Sequence, residues 1–349
     1  MIVAKSLLYF TIIISILNII SNQETEKNQT IPENKDGLKF LESKEIYDLY
    51  LDFIKKQGKS YSSIEEFNKR FSAFKENLNI VGKKEAINLP KFIDISQEEF
   101  RKKYLNFKIS PDFLTQKSKE KPRNLQHQKR NLEALPKSFD WRKYGKVSSV
   151  KEQGECGVCW AFATAANLES LYAIKYNKIL DLSEEQMLDC DTINDGCDGG
   201  NMEEAFRYIK KAGGLMKEID YRYTQIKDRC KFVQSKAIIN VTGWKILDTS
   251  DEDEIAKILM EEGPLSIGIN ADNLQLHERG IYDASHSSCP VDNLNHAVLI
   301  VGFGEEKGEK YWIIKNSWGE NWADNGFFKI SRGKGTCGVN KYVVYGKLD

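Results

Sequence analysis

The sequence predicts an α+β protein in which a helical front segment precedes a compact region built first from helices and then from strands. Three observations carry that expectation. Residues 43–88 place apolar side chains at helical spacing in two runs, Tyr47, Tyr50, Leu51 and Ile54, then Phe67, Phe71, Phe74, Leu78 and Val81. Residues 161–176 lack Gly and Pro and repeat apolar clusters at Phe162, Ala165, Leu168, Leu171 and Ile174. Beyond residue 260 the pattern changes to short β-branched and aromatic runs at 265–270, 296–303, 311–316, 326–331 and 342–347.

The elements follow in order. Residues 6–20 are almost wholly apolar with Lys5 before them, which reads as a secretory signal over residues 1–21. The run is short of the roughly 20 residues of a spanning helix, and a retained signal anchor is the alternative. Gly58 and the serines after it divide the two front helices. Residues 92–100 read as a short strand or turn leading into another helix. Residues 115–134, rich in Lys, Arg and Gln, read as a solvated linker open to proteases. The compact region begins near Leu135-Pro136. Leu182–Leu188 reads as a capped helix with Ser183 as the cap and Gln186 in the reciprocal position. Asn194–Gly200 reads as a turn leading into a helix at 201–212.

Apolar residues make up 41% of the 349, enough for more than one core. The formal net charge is zero, but residues 1–134 hold 24 Lys/Arg against 18 Asp/Glu, and residues 135–349 hold 27 against 33. A basic front and an acidic back attract each other, a pattern suited to an internal partner and weakened by salt. Nothing in the charge pattern points to nucleic acid. Asn28-Gln-Thr30 and Asn240-Val-Thr242 are glycan acceptors by pattern if the chain enters the secretory route.

All seven cysteines lie at or after residue 156, and an odd count in an exported chain suggests three bridges and one free thiol. In Gln153-Gly-Glu-Cys-Gly-Val-Cys-Trp160, Cys159 stands at the start of a helix, where the dipole lowers a thiol pKa. A nucleophile, a buried structural thiol and a redox dithiol with Cys156 all fit that spacing. Of four histidines only His296 opens a core strand, which makes it the best candidate base. With no close Cys/His cluster, no metal ligand set is recognisable. Asn316, between Tyr-Trp-Ile-Ile-Lys and Ser-Trp-Gly, can orient an imidazole, with Trp318 shielding the bond from water. Gln153 can donate to a developing oxyanion beside the Cys159 backbone N–H. Gly199 and Gly200 let an extended peptide approach backbone to backbone.

These residues resemble the papain-like cysteine peptidases of the cathepsin L type. The resemblance rests on Gln153–Trp160, Leu182-Ser-Glu-Glu-Gln, Cys190 with Gly196-Cys197-x-Gly199-Gly200, Asn295-His296-Ala297-Val298, and Asn316-Ser-Trp318-Gly319 with Trp322 and Gly326. It spans about residues 40–349. It implies a two-domain fold, a helical left domain (about 135–245) and an antiparallel, β-barrel-like right domain (about 246–349), after a mostly helical inhibitory propeptide (22–134). Cys159 is then nucleophile, His296 base and acid, Asn316 orienter and Gln153 oxyanion donor. The implied bridges are Cys156–Cys197, Cys190–Cys230 and Cys289–Cys337. Glu66, Arg70, Phe74, Asn77 and Val81 fall on the propeptide's helical motif, and Asp94, Glu98, Glu99 and Phe100 on its next block. Departures from the family pattern are Glu85, Asn88 and Pro90 in the propeptide, Val158 where serine is usual, and Asp198.

The resemblance further implies a substrate pocket of Met202, Gly268, Leu294 and Tyr342 for a bulky apolar side chain two residues before the cut. Tyr342 would make it shallow and favour Leu or Val over Phe. No cofactor is implied. The implied partners are polypeptide substrates, the chain's own propeptide and cystatin-like inhibitors, with no nucleic acid and no stable membrane association after signal removal. The destination is a lysosome-like vacuole or the exterior. An inactive homologue acting as an inhibitor or binding protein is the alternative.

Overall fold

A computed structural model describes residues 35–82, 88–110, 113, 135–284 and 289–348. The expected signal, the Asn28 sequon, Glu85 and the 115–134 linker lie outside the described residues. The chain divides into two compact units, residues 1–51 and 52–349. Within the first, the described residues 35–51 are helical, part of α1 (Lys35–Gln57). The second holds everything that follows.

Helix α2 (Ile64–Val81) starts where the Ser63 hydroxyl accepts from the Glu66 N–H, and Glu66 reaches back to the Ser62 N–H at 2.9 Å. Its inward face is Arg70, Ala73, Phe74, Asn77 and Leu78. The Asn77 amide donates to the Ile93 and Ile95 carbonyls at 2.8 and 2.9 Å and so ties the helix to the turns before α3 (Gln97–Tyr104). Residues 91–95 are turns with no strand.

Helix α4 (Cys159–Tyr176) is buried along most of its length and is bolted to the strands by polar groups. Asn167 donates to the Pro264 carbonyl at 2.7 Å and accepts from the Gly346 N–H at 2.9 Å, while Ser266 donates to the Ala163 carbonyl at 2.8 Å. Helix α5 (Glu184–Cys190) is capped by Ser183, but Gln186 does not reciprocate. Its amide bonds the Gly214 carbonyl and the Met216 N–H instead, at 3.0 and 2.7 Å, pinning α5 to the segment after α6 (Met202–Ala212). Helix α7 (Glu252–Glu262) completes the set.

The strands are β1 (Phe139–Asp140), β2 (Val241–Ile246), β3 (Leu265–Ile269), β4 (Ile281–Tyr282), β5 (His296–Glu306), β6 (Glu309–Lys315), β7 (Phe327–Ser331) and β8 (Tyr342–Leu348). Their order is β2-β8-β3-β5-β6-β7-β4, with β1 beside β5. β5 and β6 form a hairpin whose turn, Lys307-Gly308, has positive φ at both residues, as the right-handed twist of the strands favours. The expected antiparallel barrel-like right domain is corrected here. β2 pairs only with β8, β4 only with β7, and the β4–β7 pair is parallel, so the sheet is mixed and open. The reason lies in its burial. Alternate residues of β5 and β8 enter two different cores, Ala297, Tyr342 and Val344 with α4, and Val298, Ile300, Val343 and Tyr345 with α7. Helices cover both faces, so the sheet buries its apolar surface without curling closed. β2, a half-polar edge strand, was not legible as a strand.

Among the described residues no helix is long and apolar enough to cross a membrane.

Candidate active site

Two element starts carry the candidate site, the start of α4 and the start of β5. Cys159 is the first residue of α4, fully buried, and the only free cysteine. The other six cysteines form Cys156–Cys197, Cys190–Cys230 and Cys289–Cys337. The first ties the loop before α4 to the Gly196–Gly200 turn. Cys156 is thus committed to Cys197, which leaves no dithiol with Cys159. Val158 caps α4 without a side-chain hydrogen bond and is buried among Cys159, Trp160 and Phe162. A hydroxyl at this position would lie in that apolar core.

His296 opens β5 and is fully buried. Its Nε2 faces Asn316 Oδ1 at 2.8 Å, and the Trp318 ring stacks on the imidazole at 4.6 Å and 25°. A dry ring beside that bond strengthens it and limits the imidazole to one orientation. Asn316 follows β6, held by its N–H to the Gly326 carbonyl at 3.0 Å. Next to it, buried Lys315 donates to the Ser148 hydroxyl at 2.8 Å, and Ser148 bonds Glu169 of α4. The strand carrying Asn316 and the helix carrying Cys159 are thereby joined behind the site.

Gln153 is fully buried. Ser317 donates to its Oε1 at 2.7 Å, which turns the amide nitrogen toward the Cys156 carbonyl at 3.0 Å and the Tyr104 carbonyl at 3.3 Å. Ser317 was readable only as part of a turn; its role depends on the pairing of residue 153 with 317 across the fold.

A short extended stretch of the front segment, with a one-residue strand bridge at Phe107, lies over these groups. Gly200 donates to the Asn106 carbonyl at 3.1 Å and accepts from the Lys108 N–H at 2.8 Å, making a parallel bridge with Phe107. Phe107 also donates to the Asn295 carbonyl at 2.9 Å. Glycine is required at the contact: Gly199 has φ +121°, and a Cβ there would lie 2.4 Å from the Asn106 carbonyl oxygen. Met202, Leu294 and Tyr342 share one apolar cluster with Phe107, whose ring lies 5.1 Å from the Tyr342 ring and against Gly268; the Phe113 ring lies 4.7 Å from Tyr342. Residues 105–108, which follow α3 and make this cover, have no helical or alternating signal of their own, so the sequence did not mark them.

Burial beneath this strand pushes the Cys159 thiol up to about 11, opposed by the backbone N–H groups of Ala297, Asn106 and Trp160. It pushes His296 down to about 4, opposed by the Asn316 bond and the nearby Tyr104 backbone. The Tyr104 carbonyl makes no well-directed bond to Nδ1, which has no partner. Both groups are uncharged in this state.

A profile of the papain family cysteine proteases matches residues 135–347. The chain belongs to the papain family. A second profile, the cathepsin propeptide inhibitor domain (I29), matches residues 50–100. The papain-family chain is 38% identical over 311 residues to a viral cathepsin of Adoxophyes honmai nucleopolyhedrovirus, spanning 84% of this chain and 88% of that one. It is 39% identical over 323 residues to cysteine proteinase 15A of Pisum sativum, spanning 84% of each. Among solved structures, digestive procathepsin L2 of the Tenebrio molitor larval midgut superposes with a TM-score of 0.76 at 29% identity, over 87% of this chain and 100% of that one. The papain-family protein is accordingly the zymogen of a cysteine endopeptidase, and its I29 propeptide is an intramolecular inhibitor. Disulfides and zymogen relatives support a secretory-pathway location.

Proposed function

We propose that Cys159 is the nucleophile, His296 the general base and acid, Asn316 the residue that orients the imidazole, and Gln153 an oxyanion donor. The mature peptidase is residues 135–349, with a mainly left half to about 245 and a mainly right half from 246, after signal 1–21 and propeptide 22–134. One observation carries the reading: the Gln153 amide and the Cys159 sulfur converge on the propeptide backbone at Tyr104–Asn106, while His296 holds Asn316 at 2.8 Å. When the propeptide leaves, water reaches the site and the burial that neutralises the pair is relieved. The α4 N-terminus then favours thiolate.

The Cys159 thiolate attacks the scissile carbonyl carbon. The oxyanion receives hydrogen bonds from Gln153 Nε2 and the Cys159 backbone N–H. The imidazolium gives its proton to the leaving amine as the C–N bond breaks. Water, deprotonated by His296, then hydrolyses the thioester and releases the acid and the thiol. Asn316 Oδ1 holds the Nε2–H throughout.

Met202, Gly268, Leu294 and Tyr342 accept the side chain two residues before the cut. The pocket takes the Phe107 ring, so aromatic residues fit beside Leu and Val, and the expected preference for Leu or Val over Phe loses its ground. The route ends in a lysosome-like vacuole or outside the cell.

The test is labelling by an epoxide that alkylates active-site thiols. A thiol pKa of about 11 leaves about one thiolate in ten thousand at pH 7, so the intact zymogen should label slowly. Acid-processed protein should label at least a hundredfold faster, and Cys159→Ala not at all. Equal labelling of zymogen and processed enzyme, or labelling of Cys159→Ala, would overturn the assignment.

A further inference from the structure

We propose that Asp272 is a specificity-determining residue that takes a basic side chain on the leaving-group side of the cut; this rests on the active-site reading above. Asp272 opens the short 3-10 helix Asp272–Leu276 that follows β3. Its carboxylate accepts two parallel bonds from the propeptide's Arg101, Nε to Oδ1 at 2.8 Å and Nη2 to Oδ2 at 3.0 Å. The planar guanidinium fork matches a carboxylate in this geometry, so the propeptide displays the ligand chemistry that the position accepts.

The carboxylate is held in place by the mature domain itself. Asn295 Nδ2 donates to Asp272 Oδ1 at 2.9 Å, and Asn295 Oδ1 accepts from the Ala271 N–H at 2.9 Å. The Asn295 backbone N–H bonds the Ile269 carbonyl at 2.9 Å, and the next residue is His296. The Asp272 side chain is 11% exposed, while the Arg101 side chain is 50% exposed. When the propeptide leaves, the cation goes and the amide stays. A carboxylate pre-oriented by Asn295 then lacks its cation, which favours a substrate that supplies one.

The path of the propeptide says which substrate position this is. The backbone crosses the thiol at Tyr104–Asn106, where it meets Gln153 and Cys159. Past the crossing, Phe107 enters the apolar pocket that takes the residue two before the cut. Before the crossing, on the opposite side of the thiol, lies Arg101. It is three helical residues from Tyr104, a rise of about 4.5 Å, so a basic side chain at the first or second residue after the cut is in reach. The carboxylate therefore faces the leaving peptide and not the acyl part.

The experiment uses acid-processed enzyme and internally quenched peptides that share a Leu two residues before the cut. Each carries Arg, or its uncharged isostere citrulline, at the first or the second residue after the cut. The expected result is about a fivefold higher kcat/KM for Arg than for citrulline at one of these positions, shrinking as salt is raised from 0.05 to 1 M. In Asp272→Asn the Arg-to-citrulline ratio should fall to about one. A ratio of one in the wild-type enzyme at both positions overturns the proposal without any variant, and an Asp272→Asn enzyme that keeps the ratio overturns it too. Hydrolysis of a coumarylamide, which has no residue after the cut, separates the two readings. Cleavage of it with no Arg preference sinks the Asp272 proposal alone; failure to cleave it, or cleavage by Cys159→Ala, sinks the active-site reading and this one with it.

Discussion

Glu99 shows how single side chains make the inhibitor sensitive to acid. Its carboxylate, with its side chain 10% exposed, meets Lys69 at 2.8 Å, Arg70 at 2.9 Å and Lys103 at 2.8 Å. Burial works against the charge, but the three cations outweigh it and hold the carboxyl down at about 2. A folded pKa below the unfolded one means stability that is fully present above about 4.5 and is lost as pH falls toward 2. In Glu99→Gln the acid-dependent loss in that window should flatten. Buried Arg70 would also lose its nearest carboxylate at every pH, at a cost of about 1–3 kcal/mol. Urea unfolding of the variant in a Cys159→Ala background, as a pH series, measures both effects. Zymogen processing at pH 7 should rise several-fold, and a variant that keeps the wild-type pH curve counts against this account. Glu99 was legible in the sequence as part of a propeptide block. Of its three partners, Lys103 lies four residues on in the same helix, while Lys69 and Arg70 come from α2, a meeting that local pattern does not show.

Among the elements, the Gly196–Gly200 turn and α4 had the clearest sequence signals, and the covering strand the weakest. Cys159 at a helix start, Ser183 as a cap and His296 at the head of a strand all follow from local pattern. The Phe107 strand has no such pattern; it is extended because Gly200 and Asn295 supply its hydrogen-bond partners. The turn depends on its glycine. A Cβ on Gly200 would lie 2.3 Å from Asn194 Oδ1, and Asn194 cannot retreat because it is bonded to the Asn201 N–H at 2.9 Å and to Asp191 at 2.7 Å. Gly200→Ala should cost about 1–3 kcal/mol through this overpacking. It should also lower kcat/KM of the processed enzyme by about tenfold or more, since the same backbone groups hold an extended chain. Thermal unfolding and steady-state kinetics on one preparation check both, and wild-type kinetics would argue that Gly200 serves the turn alone.

Across the whole chain, the charge asymmetry acquires a geometry. Lys91 meets Glu152, Arg101 meets Asp272, Lys103 meets Glu155 and Lys108 meets Asp195, the cation coming from the propeptide each time. These pairs join the front segment to the region after residue 135 at four places and are mostly half-exposed, so salt should weaken them. Raising ionic strength from 0.05 to 1 M at fixed pH should speed zymogen processing by a few-fold, followed by gel densitometry. An unchanged rate would show that apolar contacts, such as Phe92 and Phe100 against Trp318, hold the propeptide alone.

The sequence by itself was enough for the family, the helical front, the α+β order and the residues of the candidate triad, because these rest on local periodicity and on short motifs. Only the assembled fold could show that the sheet stays open, that Gln186 bonds residues 214 and 216 in place of its own cap, and that Phe107 packs against Gly268 and Tyr342. Each of these depends on which distant segments meet, since helices on both faces remove the need for closure and hydrogen-bond partners come from across the chain. Even for Cys159 the sequence leads only to an unpaired thiol at a helix start. That the thiol is held neutral follows from the strand that buries it.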